Sequence, residues 1–149
     1  MRISQRKAKI GADMNSNVRM ILGIVAGVVV GGLVVFLVES AGHAMFPPPV
    51  GTDLSNPEAM KTLIVSLPAG GIVMLLLGWF LGALAGAVTA KVIAKREMAA
   101  WIVGVIFVAL TASNFIYIPH PVWMMAAGVA LPLLAAWIAT RMRRSTDVG

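Results

Sequence analysis

Residues 67–90 read LPAGGIVMLLLGWFLGALAGAVTA and contain no charged side chain. A helix rises about 1.5 Å per residue, so this segment is long enough to cross the hydrocarbon core of a bilayer, which is about 30 Å thick. Three further apolar segments of similar length occupy residues 20–38, 98–118 and 122–140. The sequence therefore predicts an all-α membrane protein, a bundle of four transmembrane helices.

The composition of the whole chain agrees with four spans. The chain has 149 residues, of which 59% are hydrophobic and 12% charged, and its mean hydropathy is +0.90. A water-soluble domain of this size carries more charge. The spans leave a basic tail at residues 1–17 and a second tail at 145–149, with a transmembrane domain at 18–144 between them. No room remains for a soluble catalytic domain, and without cysteine the chain has no thiolate metal site.

Basic side chains are distributed unevenly across the predicted spans. Eleven of the twelve flank span ends that would share one side of a membrane, and only Lys61 lies in the loop on the other side. Because Lys and Arg beside spans stay in the cytoplasm, we expect both termini to be cytoplasmic and the loop after the first span to lie outside. Topology thus accounts for the net charge of +6, and a nucleic-acid partner is not expected.

Glycine recurs at every fourth position in the first two predicted spans. These two glycine ridges consist of Gly23, Gly27 and Gly31 in the first span and of Gly78, Gly82 and Gly86 in the second. Helices in lipid associate by close packing, and small residues let two backbones approach. Two interpretations follow. The ridges pack the two spans together inside one chain, or one ridge joins the chain to a second copy or to other membrane subunits.

The fourth predicted span contains Pro132. Proline lacks a backbone N–H, so the carbonyl of Gly128 loses its usual helical partner, and we expect a kink there. Broken helices form binding sites in transporters, but proline is also ordinary in membrane helices. The kink alone therefore assigns no site.

The loop at residues 39–66 contains several turn and helix signals. Three prolines at 47–49 predict an extended segment, and Gly51 predicts a turn after it. Ser55-Asn56-Pro57-Glu58 matches a capping box with an early proline, which predicts the start of a helix. The helix that follows is either a short interfacial helix or an extension of the second span bent at Pro68, and in both cases it would cover the outer mouth of the bundle.

Candidate functional residues lie at this same outer level. Glu39 and His43 are four residues apart and share a helix face if the first helix continues by one turn, and His120 lies in the turn between the last two spans. In a four-helix bundle the first and fourth helices can be neighbours, which would bring these three side chains together, with Asp53 available from the loop. Carboxylate and imidazole ligands suit a divalent metal ion, and the same groups suit proton handling near neutral pH. The alternative is that each side chain has only a structural role at the interface.

The pattern Glu39-Ser40-Ala41-Gly42-His43, followed by the three prolines at 47–49 and by Pro119-His120-Pro121, resembles an uncharacterised family of small four-span bacterial inner-membrane proteins. The resemblance covers most of residues 18–144 and implies a topology but no activity. Small multidrug transporters also have four spans, with an essential carboxylate in the first, but the chain matches them poorly. Their carboxylate lies at mid-membrane, whereas Glu39 lies at the outer end, so the resemblance does not extend to drug export.

The sequence contains no glycine-rich phosphate loop, no His-Glu-x-x-His and no recognisable serine, histidine and acid arrangement, so we do not expect an enzyme. Two functions remain. The favoured one is a non-enzymatic subunit that packs through its glycine ridges into a homo-oligomer or larger complex, with an ion-binding Glu/His cluster. The other is a small dimeric ion- or proton-coupled transporter or channel. Such a path needs strong polarity near the bilayer centre, and the predicted spans provide none.

Overall fold

The computed structural model describes residues 15–118 and 120–142, and this part of the chain is helical with no strand. Four of its five helices are long and apolar enough to span a membrane. The helices are α1 (Ser16–Met45), α2 (Pro57–Ser66), α3 (Ala69–Ala94), α4 (Glu97–Tyr117) and α5 (Val122–Arg141). The prediction of an all-α bundle of four membrane-spanning helices is confirmed. Residues 1–14 of the predicted N-terminal tail and all of the tail at 145–149 lie outside the described residues.

The first helix is longer than the apolar segment that predicted it. α1 begins after Asn15, whose side chain accepts a hydrogen bond from the N–H of Asn17, and its 30 residues correspond to about 45 Å. It continues past residue 38 to Met45, so Glu39 and His43 both lie on helix. We call the end of the bundle that contains Met45, Ala69, Tyr117 and Val122 the loop end, and we call the opposite end the basic end.

Helix α3 occupies the centre of the bundle. It packs against α1, α4 and α5, whereas within the described residues α1 and α5 are not packing partners. The expectation that the first and fourth spans are neighbours is therefore wrong. The physical reason is that α3 presents small residues on several faces, so that α1 packs on its glycines while α4 and α5 pack on alanines such as Ala83 and Ala87.

The two glycine ridges lie against each other within this one chain. A Cβ added to Gly27 would lie 2.5 Å from the carbonyl oxygen of Gly86, and one added to Gly31 would lie 2.6 Å from that of Gly82. A Cβ at Gly23 would meet the backbone of α3 at Ala90, 2.9 Å away. Carbon atoms do not approach carbonyl oxygens this closely, so α1 and α3 are in backbone contact that only glycine permits.

Glycine also brings α4 and α5 together, at positions that the four-residue spacing does not reveal. A Cβ at Gly104 of α4 would lie 2.7 Å from the Cβ of Ala136, and one at Gly128 of α5 would lie 2.7 Å from the Thr111 methyl group. Pro132 is buried in this interface, and α5 continues through it as one helix. The kink expected at Pro132 stays a prediction.

Aromatic side chains mark both ends of the bundle. Trp101 and Trp137 lie toward the basic end, and Tyr117 and Trp123 lie at the loop end, and all four are at least 40% exposed. Amphipathic rings prefer the headgroup level of a bilayer, so the two groups are placed as in a membrane protein whose hydrocarbon region lies between them.

One basic side chain is buried inside the bundle. Lys91 lies in the last turns of α3 and is 6% exposed. Its Nζ donates hydrogen bonds to the carbonyl oxygens of Ala139 at 3.0 Å, Thr140 at 2.8 Å and Met142 at 2.9 Å. These acceptors belong to the C-terminal end of α5, where helical carbonyls lack partners and the helix dipole favours a cation. Lys91 therefore ties the end of α5 to α3.

Candidate binding cavity at the loop end

The short helix α2 has a side-chain cap at its N-terminal end. The Asn56 side chain accepts hydrogen bonds from the N–H groups of Glu58 at 2.9 Å and Ala59 at 3.4 Å, and Pro57 takes the first helical position. The capping residue is thus Asn56, which corrects the predicted capping box led by Ser55. Residues 67–68 are not helical and separate α2 from α3, which begins at Ala69. Helix α2 is therefore a separate helix and not an extension of the second span.

The apolar face of α2 covers a cavity of about 170 Å³ at the loop end. Met60, Leu63 and Ile64 of α2, followed by Leu67, line this cavity, whereas Thr62 and Val65 on the other face are exposed. The face predicted as apolar from the sequence is thus the face that closes the bundle over the cavity.

The cavity walls combine apolar residues from three helices with a few polar side chains. They are formed by Glu39, Gly42, His43 and Phe46 at the end of α1, Pro48 in the loop, Gly71, Met74, Leu75 and Trp79 of α3, Asn114 of α4, and Ile118 and His120 in the turn between α4 and α5. Small-molecule sites in proteins have this character, with apolar walls and few polar groups. The structure thus brings Glu39, His43 and His120 to one cavity, even though α1 and α5 do not pack together.

Of the carboxylates in the part of the chain that the structure describes, Glu39 alone lines the cavity, and it is half-buried. Glu39 packs beside Gly78, where an added Cβ would lie at an ordinary van der Waals distance of 3.6 Å from the Glu39 Cγ atom. Gly78 therefore differs from Gly82 and Gly86, where an added Cβ would lie 2.9 Å and 2.6 Å from a carbonyl oxygen of α1. Within the described residues no hydrogen bond or salt bridge is made to the Glu39 carboxylate. His43, one turn further along α1, lies at the exposed edge of the cavity.

His120 is fixed by one hydrogen bond and by two aromatic rings. Its Nδ1 lies 2.6 Å from the carbonyl oxygen of Ile118. Because a carbonyl only accepts, Nδ1 carries the proton and donates, which leaves Nε2 free to accept a hydrogen bond or bind a cation. The imidazole packs against Phe115 with ring centroids 5.0 Å apart and against Trp79 at 6.2 Å.

Trp79 belongs to the site although the sequence did not assign it there. Its side chain is 6% exposed and contacts Phe115 edge to face at 6.0 Å. A tryptophan in the middle of a predicted span is unusual because its indole prefers the interface, and this position is the signal in the sequence by which Trp79 could have been found. Asn114 of α4 also lines the cavity, and it is exposed.

Asp53 does not line the cavity. Its Oδ1 accepts hydrogen bonds from the Ser55 N–H at 2.9 Å and from the Ser55 hydroxyl at 2.6 Å. These hydrogen bonds hold the pKa of the Asp53 carboxyl below its ordinary value, because they stabilise the charged form. Asp53 therefore shapes the turn that leads into α2.

Within residues 15–118 and 120–142, no group of three or more His, Cys, Asp or Glu side chains is arranged to hold a metal ion. One carboxylate and two imidazoles do line the cavity, and these ligand types suit zinc or copper when they converge. The divalent metal ion expected from the sequence stays a prediction.

Comparisons of the chain with protein-family models, with curated proteins and with solved structures give no significant match. The resemblance to small four-span bacterial proteins therefore stays a prediction. The cavity is the feature from which a function can be argued.

Proposed function

We propose that this multi-pass membrane protein is not an enzyme and that it binds a small amphiphilic molecule in the loop-end cavity. One observation carries the proposal. Glu39, His43 and His120 line a single cavity whose remaining walls are largely apolar and which α2 covers. An amphiphile fits such a site, because its apolar part gains from leaving water while its polar group meets the carboxylate and imidazoles.

The packing below the cavity supports binding over conduction. Toward the basic end the bundle is filled by close contacts, including Gly27 with Gly86 and Gly31 with the Phe107 ring. Val103 is fully buried in this layer. The membrane-spanning segments also carry no charged side chain between the level of Glu39 and that of Lys91. A transporter or channel needs polar groups at that depth, so it is the weaker proposal.

The proposal includes the bilayer as a partner and leaves room for protein partners. A homo-oligomer, or a complex with other membrane subunits, would use faces other than the two glycine ridges. Each ridge is buried against the other helix of the same chain, so neither is available to a second chain.

We also propose that the basic end faces the cytoplasm of a bacterial inner membrane and that the cavity faces the outside. Among the described residues, the basic end carries Arg19, Lys91, Lys95, Arg96 and Arg141 against the single acid Glu97, whereas the loop end carries Lys61 against three acids. This asymmetry is what the positive-inside rule describes.

The absence of cysteine makes this orientation testable. Val50→Cys at the fully exposed tip of the loop should react with a membrane-impermeant maleimide in intact cells. Glu97→Cys at the basic end should react only after the membrane is permeabilised. Labelling of Glu97→Cys in intact cells, with Val50→Cys protected, would reverse the proposed orientation.

The binding proposal is tested by filling the cavity from α2. Met60→Trp places a larger side chain on the face that lines the cavity, and Thr62→Trp places the same side chain on the exposed face. Native mass spectrometry of protein extracted gently from its own membrane should show a bound small molecule in the wild type and in Thr62→Trp. In Met60→Trp the fraction of protein that carries this molecule should fall by about tenfold or more, because the ligand and the indole compete for the same space.

The same spectra distinguish the other outcomes. If the spectra show a bound metal ion and no organic molecule, the amphiphile proposal is wrong and the ligand is an ion bound by Glu39, His43 and His120. Equal ligand occupancy in Met60→Trp and Thr62→Trp, or an empty wild type, would overturn the cavity as the binding site.

A further inference from the structure

The loop-end cavity reaches the surface of the bundle between α1 and α4. His43 on α1 and Asn114 on α4 both line the cavity and both are exposed, whereas Ile64 and Trp79 on other walls are 6% exposed. Nearer the basic end α1 and α4 are in contact, since a Cβ at Gly31 would meet the Phe107 ring. The two helices therefore close the bundle below the cavity and leave an opening beside it.

The opening lies at the edge of the hydrocarbon region. About 30 Å of helix separates Arg19 at the basic end from Glu39, which matches the thickness of a hydrocarbon core. The exposed surface of α1 that leads up to this level includes Leu33, Phe36 and Leu37, which are apolar. A molecule dissolved in the bilayer, with its polar group at the headgroup level, thus meets the opening directly.

The ionisable groups of the cavity favour amphiphiles with a positively charged head group over those with a negatively charged one. Among the residues that the structure describes, the only ionisable groups that line the cavity are Glu39 and the two histidines, and no Lys or Arg lines it. A fatty acid or phosphate would be repelled by Glu39 and would find no permanent cation, whereas an ammonium group could donate to the carboxylate and to Nε2 of His120. Phe46 and Trp79 add aromatic rings, which attract cations.

We infer that the ligand of the loop-end cavity is an amphiphilic amine that enters sideways from the bilayer between α1 and α4. Its ammonium group pairs with Glu39, and its chain lies along the apolar wall formed by Met74 and Leu75. This inference rests on the proposed binding function and adds the chemical class of the ligand and its route.

Quenching of Trp79 fluorescence tests the inference directly. The three exposed tryptophans are replaced in the variant Trp101→Phe/Trp123→Phe/Trp137→Phe, which leaves Trp79 as the only reporter. The full chain is placed in phosphatidylcholine vesicles and titrated with a long-chain alkylamine that carries bromine on its chain. The amine should quench Trp79, and the equally brominated neutral alcohol should quench it at higher concentration.

Three variants separate the effect of charge from the effect of access. Glu39→Gln should weaken the apparent affinity for the amine by about tenfold or more and change that for the alcohol by less than about twofold, because only the amine loses an ionic partner. Asn114→Phe should slow quenching by both probes by narrowing the opening. Ser113→Phe, on the adjacent exposed position outside the cavity, should leave the rate unchanged.

The outcomes distinguish failure of the inference from failure of the proposed function. If native mass spectrometry finds a cavity ligand but Glu39→Gln leaves the affinity for the amine at its wild-type value, the amine assignment is overturned and the cavity stands. If the probes quench Trp79 in Asn114→Phe as fast as they do in Ser113→Phe and in the wild type, the sideways route is overturned. If neither probe quenches Trp79 and the wild type carries no ligand, the inference and the proposed binding function are both overturned. Should the triple variant not fold, binding of the two probes to the wild type and to Glu39→Gln by native mass spectrometry gives the same comparison of charge.

Discussion

Replacing Gly27 by leucine should prevent α1 from packing on α3. The first atom of the new side chain would lie 2.5 Å from the Gly86 carbonyl oxygen and 2.9 Å from the Ala90 Cβ, and both belong to the helix opposite. Neither can move without separating two whole helices, so the loss of stability should exceed the usual cost of overpacking and reach about 3 kcal/mol or more. Thermal unfolding in mild detergent, followed by size-exclusion chromatography, measures the loss. Gly82→Leu should behave in the same way, because its Cβ would lie 2.9 Å from the Gly31 carbonyl oxygen.

Gly32→Leu is the matched control on the same helix. A Cβ at Gly32 meets nothing within 4 Å, and the residue is exposed. The stability of this variant should stay within about 0.5 kcal/mol of the wild type, because a surface substitution away from any contact changes little. Equal stability of Gly27→Leu and Gly32→Leu would show that the ridges do not hold α1 to α3.

Replacing Lys91 by methionine should loosen the end of α5. The new side chain is close in length and apolar, so the packing of the stem is kept while three carbonyl oxygens lose their donor. An unsatisfied buried acceptor costs about 1–3 kcal/mol, and water at the basic end can reach some of these carbonyls, so we expect a loss of about 2–4 kcal/mol in all. Hydrogen–deuterium exchange should show the last turn of α5 opening before the rest of the bundle.

Lys95→Met removes the same charge from the next turn and serves as the control. Lys95 is exposed, so its removal should change stability by less than about 0.5 kcal/mol. If the two variants lose equal stability, the charge of the basic end matters and the contact with α5 does not. If neither loses stability, the three hydrogen bonds contribute nothing to the fold.

The spans and their class were predictable because they depend on composition alone. A segment without charges over the thickness of a bilayer has few alternatives to a membrane helix, and the helix signals around Pro57 are local. The order in which helices pack was not predictable in this way. The prediction that the first and fourth spans touch assumed a simple sequential bundle, and it did not consider that α3 has small residues on more than one face.

The candidate site was only partly visible in the sequence for a related reason. Glu39, His43 and His120 stand out because polar residues are rare at the span ends, and the structure places all three at one cavity. Trp79 and Asn114 gain their meaning from their neighbours on other helices, which no spacing along one helix reveals. Lys91 was counted as one more flanking charge, since the carbonyls that it binds come from a helix almost fifty positions later.

The small residues at the helix contacts determine which substitutions in this protein are harmful. In a water-soluble domain a polar substitution in the interior is the damaging kind, because interior and surface differ in polarity. Here both the interior and the surface of the spans are apolar, and the fully buried side chains are mostly alanine, as at Ala83, Ala87 and Ala100. Volume, and not hydropathy, therefore separates harmful from neutral substitutions. A serine at Ala87 should be tolerated, whereas a leucine, which scores as more hydrophobic, should not.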